Sequence, residues 1–362
     1  MKKNIAILLV VIVLVSATGC AAETQPATST PAPVAAPTPA AAETAGSPDV
    51  ANIVQERPLI LYANDFTDEI PELFYQATGL VVEVVHGSGG EIMARLAAEQ
   101  ANPLWDVVWT DAFYSIHNFG LTGQFAEGWV PENLSHMSDL GLGMMPGNYM
   151  WFPTGIHAAG LIAYNQNLVS AEDAPRTWED FLNPNFQAGM ADPAAAAPAY
   201  PLVVGLFHLF GGIEGGQAFF DTLFDNGASV FPRNGPVALA LTGGDVNVAL
   251  LQEANVYGLL RNGEPIGVVW PDEGAPASVR VAAIQRNTDN LEVAQAFIEF
   301  LLDPTTQQAL IDLDDEIFEA MANGVTPNPN RIHTGSFILP DVDWGAQHEA
   351  EIKEWFADAA VR

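Results

Sequence analysis

The chain has 362 residues, 49% of them hydrophobic, and 44 acidic against 12 basic side chains leave it a formal charge of −32. Such a balance argues against nucleic acid as a partner, because phosphate backbones are held by clustered Lys and Arg. A single cysteine, Cys20, excludes an internal disulfide framework, so stability must come from packing, which a body of roughly 300 residues can supply.

Lys2 and Lys3 precede an apolar run from Ile5 to Val15, and Ala17, Thr18 and Gly19 lead into Cys20. A charged start, a short apolar core and small residues before a cut form the layout of a secretory signal. The run is shorter than the roughly 20 residues that a membrane span needs. Cys20 directly after the small residues resembles a bacterial lipobox, which predicts removal of residues 1–20 and a lipid on Cys20. Residues 21–56 are rich in Ala, Pro and Thr and read as an extended tether with nothing to build a core.

From Pro58 onward strands and helices alternate. Leu59–Tyr62 reads as a buried strand, and Glu69–Thr78 as a helix that Gly79 ends. Leu80–Val85 is the next strand, Ile92–Gln100 a helix, and Asp106–Trp109 a third strand. This order predicts an α/β fold with a parallel sheet and right-handed crossovers. Further on, Arg176–Leu182 reads as a helix capped by Thr177, with Asp180 three residues later. Tyr200–Leu209, Gln217–Leu223, Val237–Leu241 and Val246–Leu251 continue the alternation, Val279–Ile284 is a late strand, and Leu291–Leu302 an amphipathic helix.

Ligands of open α/β sheets bind beyond the C-terminal ends of the strands. Four such loops stand out. Ser88 and Gly89, within Gly87–Gly90, offer close backbone approach and free amides at a helix start. Trp109, Thr110 and Asp111 place an indole, a hydroxyl and a carboxylate at one strand end, suited to a polar or cationic ligand or a metal, although Asp111 could equally cap a helix. Arg233 and Asn234 lie just before Pro236, where a guanidinium could grip an anion in two-point fashion or simply lie on the surface. Asn255, Tyr257 and Glu273 follow apolar runs, and Tyr257 could equally be a core aromatic. The seven histidines show no metal-binding spacing, and no catalytic constellation can be assembled from order and spacing.

The segments LILYANDFTDEIPELFYQATGLVVEVV, EIMARLAAEQANPLWDVVWTDA, LIAYNQNLV, PRTWEDFLNPNFQAGMADP, PIGVVWPDEG and DNLEVAQAFIEFLLDPTTQQALI together resemble the extracellular solute-binding proteins of ABC importers. They are most similar to the branch holding ferric-iron, phosphonate and thiamine binders, and the resemblance runs from about Pro58 to Ile311. It implies a two-lobed, periplasmic-binding-protein-like α/β fold, with residues 57–156 and 278–362 in one lobe and 157–277 in the other. It further implies a monomer without cofactor or catalysis, working outside the cytoplasm, with an ABC permease and ATPase as partners and the membrane reached through Cys20. An enzyme on the same fold, or a sensor lipoprotein, is the competing class.

The ligand is less determined. Ferric binders of this branch use a His after the first strand, a carboxylate after the WDVVW-like strand and two adjacent tyrosines. Here the carboxylate is Asp111, the first turn carries Asn64 and Asp65 instead of His, and one displaced tyrosine, Tyr257, stands where the pair is expected. Asp111 and Tyr257 are therefore the metal ligands if iron is the cargo, and a small organic, phosphonate-like solute is the leading expectation. An anion would use Ser88, Arg233 and the amides of residues 192–197, and a cation Asp111 with the ring faces of Trp109 and Tyr257.

Overall fold

The computed structural model describes residues 47–313, 318–331 and 335–362; the expected signal, Cys20 and the tether as far as residue 46 lie outside them. The described body begins β1 (Leu59–Ala63), α1 (Ile70–Thr78), β2 (Val82–His86), α2 (Gly89–Ala98), β3 (Val107–Thr110), α3 (Phe113–Gly120), α4 (Asp139–Met144) and β4 (Phe152–Ala158). It continues β5 (Leu161–Asn165), β6 (Ala188–Ala191), α5 (Ala199–Leu209), α6 (Ile213–Asp225), β7 (Ser229–Phe231), α7 (Asn234–Gly243), β8 (Val248–Leu251), α8 (Glu253–Arg261) and β9 (Ile266–Val269). It closes with β10 (Ala275–Ile284), α9 (Leu291–Leu302), α10 (Pro304–Asp312), β11 (Glu319–Ala320), β12 (Phe337–Ile338), α11 (Val342–Gln347) and α12 (Glu349–Ala359).

Two mixed sheets result. The first runs β2-β1-β3-β10-β4-β11, with β12 beside β10, and the second β7-β6-β8-β5-β9. The β2-β1-β3 and β7-β6-β8 stretches are parallel; β10 runs antiparallel to β3 and β4 but parallel to β12, and β4 is antiparallel to β10 and β11. Both β4 and β10 are buried along their whole length, and the polar residues they carry, Thr154, His157, Ser278 and Arg280, are buried with them. The chain crosses between sheets twice at adjacent places, from β4 to β5 and from β9 to β10, and Ala159 N–H donates to Pro276 O where they meet. After β12 the chain packs on both halves: α11 lies on α3, and α12 on α5 and α6.

Local chemistry sets the boundaries. Gly79 ends α1 at φ 75°, in the left-handed region that costs an L side chain roughly 1–2 kcal/mol. Helix α2 starts three residues before the expected Ile92, because Ser88 caps it reciprocally with Glu91. The expected helix over 176–182 shrinks to one 3₁₀ turn, Asp180–Leu182. Thr177 and Asp180 do cap one another, each backbone N–H donating at 3.0 Å. Pro184 then forces Asn183 into an extended conformation (ψ 122°), so the helix cannot continue.

Candidate functional site

The strand ends of the two sheets face each other and deliver a buried polar cluster. The turn after β1 brings Asn64, Asp65 and Phe66; β3 brings Trp109 and, just beyond, Asp111. His157 comes from the end of β4, Ser278 and Arg280 from β10, and Gln252 from the end of β8 in the second sheet.

Asp111 is the hub. Its carboxylate accepts from Asn64 Nδ2 at 2.9 Å and from Gln252 Nε2 at 3.4 Å, and its carbonyl accepts from Ser278 Oγ at 2.7 Å. The other hydrogen of the Gln252 amide reaches His157 Nε2 at 3.0 Å. Burial and the charges of Arg280 and Arg331 push His157 down to about 3, so its ring is neutral; Nε2 accepts and Nδ1 carries the proton. Burial, with the nearby charge of Asp65, pushes Asp111 up to about 7, while Arg280 and Asn64 act the other way.

Arg280 is the counterweight, 5% exposed and lying on the faces of Phe66 and Trp109 at 4.8 and 5.3 Å from their centroids. Its Nη2 donates to Asp65, and its carbonyl accepts from Thr154 Oγ1, which in turn accepts from Trp109 Nε1. Phe66 holds φ at 54°, an unfavourable backbone that its ring offsets by stacking on Trp109. Arg280 Nη1, Asn64 Oδ1 and Thr110 Oγ1 are buried without a hydrogen-bond partner, three of five such side-chain atoms among the described residues. A buried polar atom left unpaired costs roughly 1–3 kcal/mol, so those on Arg280 and Asn64, both of which donate to the Asp65 carboxylate, point to a built binding site.

The two halves touch beside this cluster. A Cβ added to Gly89 would stand 2.3 Å from the Cβ of Ala197, so only glycine allows this approach. A cavity of about 300 Å³ opens next to the contact, with Ser115, Tyr200, Glu349 and Lys353 as its main polar lining. Neither Asp111 nor Arg280 lines it.

A family profile described as bacterial extracellular solute-binding protein matches residues 102–329. The chain belongs to that family. It is therefore an extracytoplasmic solute-binding protein. A periplasmic protein of Salmonella typhimurium named for binding 2-aminoethylphosphonate is 24% identical over 302 residues, covering 78% of this chain and 85% of its own. AfuA of Actinobacillus pleuropneumoniae, solved with fructose-6-phosphate bound, superposes with a TM-score of 0.75 at 17% identity over 85% of this chain and 99% of AfuA. A ferric binding protein from Campylobacter jejuni gives 0.73 at 20% identity, over 83% and 99%.

Within this solute-binding protein the expected site residues divide. Asn64, Asp65, Trp109 and Asp111 come together around Arg280, with Trp109 acting through its ring face and its indole N–H spent on Thr154; Thr110, opposite Val281 in the register of β3 and β10, points to the other face of the sheet. Ser88 spends its hydroxyl and its backbone N–H on Glu91, and Gly89 is the first residue of α2 rather than part of a loop. Arg233 is exposed at the start of α7, with Asn234 next to it, and its charge helps Ser88 to hold Glu91 below the usual carboxylate range. Tyr257 is buried and Asn255 half-buried on α8. Glu273 accepts from Trp178 N–H at 3.2 Å and is exposed. Sequence reasoning passed over Arg280, His157, Gln252 and Ser278. A lone charge within the apolar run Val279–Ile284 was the available signal, since buried Arg is rare unless partnered.

Proposed function

We propose that the protein captures a small organic solute bearing both an anionic group and an amino group, of the aminophosphonate class, and hands it to an ABC permease. The observation that carries this reading is the buried guanidinium of Arg280, with Nη1 free to grip an anion while Nη2 stays on Asp65. One guanidinium stands against two carboxylates, Asp65 and Asp111, so a purely anionic solute would meet a net negative charge. An ammonium on the same molecule offsets it and suits Asn64 Oδ1 and Asp111. The name of the Salmonella relative supports this class, and the bound phosphate ester of AfuA supports an anion at this fold's cleft. The two sheets act as lobes, closing on the adjacent crossings of β4–β5 and β9–β10; the expected boundaries at 156/157 and 277/278 fall inside β4 and β10, so the first lobe keeps both strands whole. Binding is the whole task, without chemistry, by a monomer tethered through a lipid on Cys20.

A thermal-shift series tests the ligand class. 2-Aminoethylphosphonate is expected to raise the melting temperature, with about 2.7 kcal/mol of stabilisation at a hundredfold excess over its dissociation constant. Inorganic phosphate and fructose 6-phosphate should give smaller shifts, and spermidine none. A shift with ferric citrate alone, accompanied by tyrosinate colour, would replace this reading with iron and implicate Tyr257.

Closure carries its own prediction. Gly89→Val should hold the halves apart at Ala197, weakening 2-aminoethylphosphonate binding roughly 5- to 150-fold, in line with the 1–3 kcal/mol of overpacking. Calorimetric titration reads the affinity. A small-angle scattering radius that stays large when ligand is added would confirm incomplete closure, and an unchanged affinity would refute it.

A further inference from the structure

A second buried charge cluster sits behind the first. Glu253, fully buried at the start of α8, accepts from Arg331 Nε at 2.5 Å and Nη2 at 3.2 Å, and from Ala158 N–H at 2.8 Å. Arg331 Nη1 donates to Glu319 at 2.8 Å, and its guanidinium lies 5.7 Å from the ring centroids of both Trp270 and Phe337. Glu253 follows β8 of the second sheet, whereas Ala158 ends β4 and Glu319 lies in β11 of the first. One guanidinium, carried by the chain between β11 and β12, therefore ties both halves together where they join.

Its reach extends to the binding cluster through a single peptide bond. Gln252, next to Glu253, is the second-sheet residue whose amide touches Asp111 and His157, and it does so through neutral donors only. Such bonds alone hold a side chain loosely, while the forked ion pair beside it fixes the backbone. We propose that Arg331 is a positioning residue: by anchoring Glu253 against the end of β4 and β11, it sets Gln252 over Asp111 and holds the halves in the ligand-retaining geometry. The inference rests on the reading of the Asp111–Arg280 cluster as the solute site. A buried ion pair contributes little net stability relative to a neutral pair, so a geometric role better explains its presence.

The test removes both buried charges together and leaves only Glu319, 49% exposed, to turn to water. In Arg331→Met combined with Glu253→Gln, the new amide oxygen still accepts from Ala158 N–H, and the melting temperature should stay close to that of the parent. Amide exchange at Ala158 and across residues 252–258 is expected to quicken at least tenfold without ligand, and dissociation of 2-aminoethylphosphonate to quicken at least tenfold with association little changed. Parental exchange and parental dissociation in a folded double variant would overturn the proposal. Should the double variant not fold, Arg331→Lys, which keeps the charge but cannot fork between Glu253 and Glu319, must show the same local loosening. If 2-aminoethylphosphonate fails to bind even the parent, the ligand reading falls and the exchange comparison alone decides the role of Arg331.

Discussion

Arg280→Met is expected to abolish solute capture for practical purposes. Removing one partner of a buried charge-assisted contact costs about 2–5 kcal/mol, which weakens binding roughly 30-fold to several thousand-fold. The methionine stem keeps the packing against Phe66 and Trp109, so the loss falls on the guanidinium itself. Folding suffers less, by about 1–3 kcal/mol, because Asp65 at 21% exposure can turn to water once its partner is gone. Arg280→Lys should fall between, since a point charge cannot serve Asp65 and a ligand at once as a fork does. Calorimetric titration with 2-aminoethylphosphonate, paired with urea unfolding of the free protein, separates the two effects. Equal affinities for parent and Met variant would show that Arg280 is a structural counter-ion to Asp65 and that the solute binds elsewhere.

How much of this was legible follows from what each residue does locally. The strands from Leu59 to Trp109 and the helix at Leu291–Leu302 could be read because a period of 2 or 3.6 and a glycine stop are short-range signals. Asn64, Asp65 and Asp111 were legible because position at a strand end, together with residue type, marks a cleft in any α/β sheet. Arg233 attracted notice for the same reason, yet it is exposed at the first turn of α7, and the basic residue at the cluster comes from β10 instead. That strand lies antiparallel to β3 by a crossover of more than 160 residues, a pairing that no local pattern encodes. The roles of residues after 312 were equally hidden. Helices α11 and α12 are short and take their meaning from packing on α3, α5 and α6, not from any motif of their own.

Asp111→Asn should change how stability and binding respond to pH. In the folded protein burial pushes the Asp111 carboxyl up to about 7, against an unfolded value of 3.8. Between those values the folded chain keeps a proton that the unfolded chain has lost. Stability therefore falls as pH rises from about 4 to about 7 and levels off above, on the order of a few kcal/mol from this residue. Asp106 and Asp180, whose carboxyls are lowered by hydrogen bonds from Arg57 and from the Arg176 backbone among others, add a slope of opposite sign at lower pH. The difference between parent and variant isolates Asp111: the variant should gain stability steadily over that interval and hold the gain above it. Binding carries the complementary sign, because a solute ammonium beside Asp111 favours the ionised form. At about pH 6 the parent should release up to one proton on taking up 2-aminoethylphosphonate, read by titration calorimetry in buffers of different ionisation enthalpy, and Asp111→Asn should release none. The variant should also lose more affinity in mildly alkaline than in mildly acidic buffer, since only the ionised carboxylate is missed. Proton uptake by the parent instead of release would mean that the solute brings an anion, not an amine, to Asp111, and would reverse the orientation proposed for it in the cleft.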